Sequence, residues 1–154
     1  MKLKRDAHGL YIRFKSTDAW FLIGSGMDSL SVEMNGSFEQ TKDIIGNVAV
    51  SDTGYQPQIG VDPYRANPDD AIYEYLKDIA MNRKSGDDAK AEILEVLIDD
   101  DSASQYDGWT EDVKVEVTNY GGDTSGLAIN FNIWSDGNRK HVDVTMAGKV
   151  PTII

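Results

Sequence analysis

Two histidines, His8 and His141, are the only imidazoles in 154 residues, and cysteine is absent. Thiol catalysis, disulfides and cysteine metal sites are therefore closed to this chain. Neither histidine stands at a metal-ligand spacing: His8 lies among basic residues and His141 opens a strand beside Lys140. Carboxylates number 26, so pairs such as Glu92 with Glu95 or Asp99 with Asp101 arise by abundance alone. General acid–base work needs two carboxylates held in one cleft with divergent pKa values. The run Asp99–Asp101 offers closely spaced oxygens for calcium but lacks the twelve-residue loop with its glycine and terminal glutamate. Gly24-Ser25-Gly26 and Gly121-Gly122 lack the lysine and following helix of a phosphate loop, and no serine sits in a glycine-framed strand-to-helix elbow. Trp20, Trp109 and Trp134, with Tyr11, Tyr55, Tyr64, Tyr106 and Tyr120, supply aromatic surface for a sugar platform, a core or a protein contact. Trp20 beside Phe21 reads as core. Tyr106 and Trp109, set among acidic residues, read as an exposed contact. These residues point away from an enzyme, and no cofactor or metal is expected.

The charge is uneven. Fifteen basic residues stand against 26 acidic ones, a net of -11. Lys2, Lys4, Arg5, Arg13 and Lys15 against Asp6 make the first fifteen residues +4, which leaves -15 for the remainder. Such a body does not adhere to nucleic acid, whose binding rests on phosphate neutralisation. The basic start reads either as a solvated terminus or as an arm that pairs with the acidic body of a neighbour. No apolar run approaches the eighteen residues of a membrane-spanning helix, and the basic start is not followed by the apolar stretch of a signal peptide.

Most of the chain alternates with the period of strands. Leu10, Ile12 and Phe14 fall on one side of a short strand or ordering arm, and Leu30, Val32 and Met34 alternate with Ser31 and Glu33. Residues 37–66 carry no persistent pattern, because Gly46, Gly54, Pro57, Gly60 and Pro63 interrupt short apolar pieces; they read as a long loop. A helix is expected over 68–84. Asn67 can cap it, Pro68 suits its first position, Ile72, Tyr73, Leu76, Ile79 and Ala80 share a face, and Gly86 can end it. Ala91–Ile98 is apolar on both faces, as expected of a strand covered on two sides. Val113, Val115 and Val117 then alternate, Gly121-Gly122-Asp123 turns the chain, and Leu127, Ile129, Phe131 and Ile133 alternate with Asn130 and Asn132. Asp136-Gly137-Asn138 reads as a tight hairpin leading to Val142, Val144 and Met146. The result is one mainly β domain with a single helix, an antiparallel sheet or sandwich.

In order, EQTKDIIGNVAVSDTGYQPQIGVDPYRA, PDDAIYEYLKDIAMNRKSGDDAKAEILEV and DVKVEVTNYGGDTSGLAINFNIWSDGNRKHVDVTM resemble the long loop, the helix-to-strand passage and the late strands of phage major tail tube proteins. The resemblance covers roughly residues 18–150 and is to long-tailed phages, especially those of Gram-positive hosts. It implies an antiparallel β-sandwich or barrel-like domain over 18–150, with the long loop 37–66, the helix 68–84 on its outside and a basic arm over 1–17. It further implies a structural subunit that closes into hexameric rings and stacks head to tail into a tube. Viral DNA passes through that tube during ejection without specific binding. Its implied partners are copies of itself and the tape measure, tail tip and tail terminator proteins, and its place is the virion tail after assembly in the host cytoplasm, without a membrane. Phe38, Ile44, Ile45, Tyr55 and Tyr64 in the long loop are expected at contacts between subunits. Asn130, Asn132, Asp143 and Thr145 are expected to face the channel. The alternative is an acidic β-sandwich that binds carbohydrate or calcium through the surroundings of Tyr106 and Trp109.

Overall fold

The computed structural model describes residues 2–27, 29–100 and 102–154. Asp101, part of the acidic run noted above, lies outside them. The chain begins with β1 (His8–Arg13), β2 (Phe21–Leu22), β3 (Ser31–Glu33), β4 (Gly36–Lys42), β5 (Val48–Tyr55) and β6 (Gln58–Arg65). The helix α1 (Ala71–Met81) follows, then β7 (Lys90–Leu97), β8 (Tyr106–Asp123), β9 (Gly126–Ser135), β10 (Lys140–Ala147) and β11 (Val150–Ile153). Every recorded strand pair is antiparallel, in the order β2-β1-β7-β8-β9-β6-β3, with β10 joining β8 and β11 joining β10. β4 and β5 form a separate two-stranded hairpin.

The long strand β8 organises the sheet. Along one edge it pairs with β7, and along the other with β9 and then β10 in succession: Val113 opposes Ser135 and Thr110 opposes Lys140. β9 and β10 are therefore two lengths of one interrupted line, and the tight hairpin expected at Asp136-Gly137-Asn138 is not formed. Gly137 and Asn138 do adopt positive φ (91° and 60°). They use it to make a side step, held where Asp136 N–H donates to the Asp112 carbonyl and Asp112 N–H to the Gly137 carbonyl. Local turn chemistry permits both outcomes, and pairing with β8 decides between them.

The turn expected at Gly121-Gly122-Asp123 is displaced outward. Those residues stay paired with β9, and the chain reverses at Thr124-Ser125, where Asp123 accepts the Ser125 N–H. Gly122 has φ 153°, and an added Cβ would stand 2.0 Å from the Gly126 carbonyl oxygen. Gly122→Ala is therefore expected to spread the end of the β8–β9 ribbon at a cost of about 1–3 kcal/mol, read as faster amide exchange confined to residues 119–127.

Two cores lie on the two faces of β1 and β7. Leu10, Ile12, Ala91 and Ile93 meet Val113 and Val115 of β8, Ile129, Phe131 and Ile133 of β9, and Ile59, Val61 and Tyr64 of β6. Ile72, Leu76 and Ile79 of α1 close this first core. On the reverse face Tyr11, Leu94, Val96 and Val144 form the second, smaller core. β7 is thus covered on both sides, as its unbroken apolar run requires.

Three expected boundaries change. The basic arm over 1–17 contains β1, whose Leu10, Tyr11 and Ile12 are buried between β2 and β7. Its charges flank the strand: Arg13 bonds Glu92 at 2.9 Å and lies 4.2 Å from the Trp20 ring centre. The loop over 37–66 contains the β4–β5 hairpin and β6. Their pattern was hidden because the hairpin is exposed on both faces, while β6 breaks register between Val61 and Tyr64 around Pro63, which donates no ladder bond. The helix runs 71–81, since residues 67–70 form a turn closed from Asp70 N–H to the Asn67 carbonyl. Its end is set by Arg83 at φ 52°, with Lys84 N–H reaching the Ile79 carbonyl. Gly86 comes later and opens a short 3-10 turn.

Candidate functional site

β3, β6, β9 and the distal part of β8 make a four-stranded sheet whose inner side is core and whose outer side is polar. Val32, Ile59, Ile133 and Val115 stand in one cross-strand row on the inner side. The next rows out, on the opposite face, are Ser31, Gly60, Asn132 and Glu116, then Glu33, Gln58, Trp134 and Lys114. Asn132 Nδ2 and Trp134 Nε1 both donate to Glu116, each at 3.3 Å. A shallow groove of about 470 Å³ crosses this face between Ser31, Glu33, Asp62, Thr118 and Asn130. The Asn130 side-chain oxygen Oδ1 there is buried with no partner among the described residues.

Among the described residues neither edge of this sheet carries a further strand. Among them β3 pairs with β6 alone, and β8 beyond Lys114 pairs with β9 alone, with the end of α1 and the 86–89 turn lying beside it. Unpaired strand edges are templates for another chain, and monomeric proteins blunt them with charge, proline or a covering element. Here two stand on opposite sides of one sheet.

The four residues expected to face a channel divide between two surfaces. Asn130 and Asn132 lie on the polar face just described. Asp143 is directly opposite Asp107, which is nine positions from Glu116, the partner of Asn132, along an unshifted stretch of β8. Successive side chains alternate, so an odd separation places Asp143, and Thr145 with it, on the other side. The expectation of one surface holding all four is therefore corrected: the asparagines share one face, and Asp143 with Thr145 the other.

Of the residues expected between subunits, Phe38, Ile44, Ile45 and Tyr55 are exposed on the β4–β5 hairpin, joined by Val48 and Val50. Tyr64 is not available. It is 0 % exposed, packs edge-on against Phe131, and donates its hydroxyl to Asp70 at 2.8 Å. Burial, and then the Asp70 bond, push that phenol up from its ordinary range. Its place four residues beyond Gly60 looked like loop, whereas the irregularity at Asp62-Pro63 turns it inward.

The acidic end of β8 does not form an aromatic platform. Tyr106 and Trp109 are three apart on one strand and so face opposite ways, Tyr106 toward the second core and Trp109 against His141. His141 and Asp143 share a strand face, and with Asp107 their ligand atoms lie within 4.8 Å of one another, all exposed. His141 Nε2 meets Asp107 at 2.8 Å and so separates two facing carboxylates. The periodicity of a strand held this His-x-Asp spacing, which the linear reading passed over.

A half-buried polar cluster was also not anticipated. Arg139, from the side step between β9 and β10, bridges Glu95 of β7 at 2.9 Å and Glu111 of β8 at 3.1 Å. His8 reaches Glu95 at 2.9 Å, and Ser135 donates to Glu111. Burial pushes the Glu95 carboxyl up, but the His8 and Arg139 bonds outweigh it and hold it below the usual range. The cluster is a clamp: it fastens the side step to two strands.

Among solved structures the chain is similar to the SPP1 tail tube, determined by solid-state NMR and cryo EM. The TM-score is 0.64 over 96 % of this chain and 81 % of that one, at 10 % identity. The fold is phage tail tube-like. No protein-family model matches the sequence, and no curated protein does. At this identity the likeness is one of fold alone. In this tail tube-like fold the helix sits over the first core, on the side of the sheet away from the polar face.

Proposed function

We propose that this protein is a structural, non-enzymatic subunit that self-assembles into a phage tail tube. The observation that carries the reading is the four-stranded sheet with a polar face and two open edges, in a tail tube-like fold. Each open edge leaves backbone groups that a neighbour's edge satisfies, so copies join sheet to sheet and close a ring. Six sheets make twenty-four strands, roughly 115 Å around and about 37 Å across at ~4.8 Å per strand, before tilt widens them. The face with Glu33, Asn130, Asn132 and Glu116 then lines the channel. Its carboxylates, within a chain of net charge -11, repel a passing duplex and keep it from adhering. Rings stack head to tail through the apolar hairpin. In the assembled particle the tape measure occupies the channel first, a tail tip complex starts the tube and a terminator ends it, which places the protein in the virion tail.

Because the chain has no cysteine, two introduced thiols report the ring directly. Ser31 and Glu116 are exposed on the same face at the two open edges. Ser31→Cys with Glu116→Cys, treated with a short bis-maleimide, is expected to give a ladder of oligomers ending at the closed ring, whereas either single variant gives none. Microscopy of the same sample should show annuli or hollow tubes. Protein that stays monomeric at every concentration and gives no ladder overturns the proposal.

A further inference from the structure

The hairpin β4–β5 ends in a turn that holds two isoleucines outward. Ile44 and Ile45 are 104 % and 79 % exposed. The turn is not slack: the Asp43 carboxylate accepts the N–H groups of Ile45 and Asn47 at 3.0 and 2.9 Å, and Asp43 N–H reaches the Asn47 carbonyl. Gly46 supplies the positive φ, 90°, that closes it. The tip is therefore preorganised, so docking it forfeits little conformational entropy. Glu39, Asp43 and Asp52 against Lys42 give residues 36–55 a net charge of -2.

Elsewhere on the molecule a cleft of about 500 Å³ opens between the N-terminal segment and the β10–β11 turn. Its walls include Leu22, Met27, Leu30 and Met146. Among the described residues that line it, Lys4, Arg5 and Lys149 stand against Asp6, a balance of +2. Among the described residues none of these three cations is in an ion pair; Arg5 donates instead to the His8 and Leu30 carbonyls, and Tyr11 donates to the Lys149 carbonyl. Those bonds fix the rim and leave its charge unneutralised. We infer that the Ile44–Ile45 tip of one copy docks in this basic-rimmed apolar cleft of a second copy.

Two other clefts fit the tip less well. The one at the hairpin's own root, beside Met34 and Tyr55, contains Glu95 and Glu111 with Arg139 engaged between them, and so offers an acidic ligand no unpaired cation among the described residues. In the one beside α1, Lys84 is paired with Asp78, and Glu116 stands on the wall with Arg83 and Lys114. Tip and cleft are different surfaces of one chain, so the contact is heterologous and propagates copy to copy. It also gives the basic N-terminal segment a role, as the receptor's rim. The inference rests on the self-assembly reading above.

The test places a photoreactive benzoylphenylalanine at Ile45 in the full chain, mixes equal amounts of nitrogen-15 and unlabelled copies at high concentration, and maps mixed-isotope cross-links. They are expected within residues 4–11, 22–30 and 146–149. Cross-links elsewhere, or none between copies, overturn the inference. Lys149→Glu is expected to lower the mixed cross-link yield about tenfold, and Glu39→Lys, which leaves the Asp43 turn intact, to restore part of it on that background; an unchanged yield in Lys149→Glu overturns it equally. The thiol ladder between Ser31→Cys and Glu116→Cys reads the ring independently. A ladder without cleft cross-links removes only this docking, and cleft cross-links without a ladder remove the ring.

Discussion

Replacing residues 37–54 by a two-residue turn between Gly36 and Tyr55 is expected to leave the monomer's stability within about 1 kcal/mol and to abolish tubes. Gly36 and Tyr55 are directly opposed, so an Asn-Gly turn closes them without strain. Every residue of β4 is exposed, and so is all of β5 except Gly54. The removed segment therefore contributes almost nothing to either core. An isolated two-stranded ribbon is marginal in water, yet this one carries Phe38, Ile44, Ile45, Val48 and Val50 in the open, each gaining about 1.5–3 kcal/mol when fully buried. That energy is realised only against another copy. Chemical denaturation checks the first half of the result and negative-stain microscopy the second; tubes of normal length from the shortened chain would remove the hairpin from assembly. The excision must stop before Ile59, whose loss would open the first core and confuse the two effects.

Arg139→Ala is expected to cost about 3 kcal/mol of folding stability, with the change in urea midpoint as the measurement. The side chain joins Glu95, 13 % exposed, and Glu111, 7 % exposed. Taking it away leaves two nearly buried carboxylates on adjacent strands with only His8 and Ser135 for support. Breaking such a pair costs about 3–5 kcal/mol, and the lower end applies because the Arg139 side chain is 42 % exposed. The pH dependence carries a sign. Glu95 is held below its ordinary pKa, so its contribution is present above the unfolded value and is lost as the pH falls through the lowered folded value. Wild type should therefore lose stability from about pH 4 downward, and the gap to Arg139→Ala should narrow over the same range. A gap that is constant from pH 7 to pH 3 would assign the effect to lost packing instead.

Residues far apart in the chain explain what could be read early and what could not. The alternation of Val113 to Val117 and of Ile129 to Ile133 shows directly which side chains enter the core, because the period of a strand is imposed by its own backbone. The helix face Ile72, Leu76 and Ile79 was legible for the same reason, as was β7, whose apolar run admits few other environments. The β4–β5 hairpin escaped because a ribbon wet on both faces has no hydrophobic period to display. Arg139 escaped because its two carboxylate partners are 44 and 28 positions away.

From its amino acids alone this chain is mainly β with one helix, acidic and free of cysteine, since composition and local period are properties of the linear sequence. Only tertiary structure decided that β9 and β10 run in line along one edge of β8, that Tyr64 points inward, and that Asn132 and Asp143 face opposite ways. Each of these depends on register. A shift of one residue exchanges the faces of a strand, and register is set by pairing across the sheet rather than by neighbours in sequence.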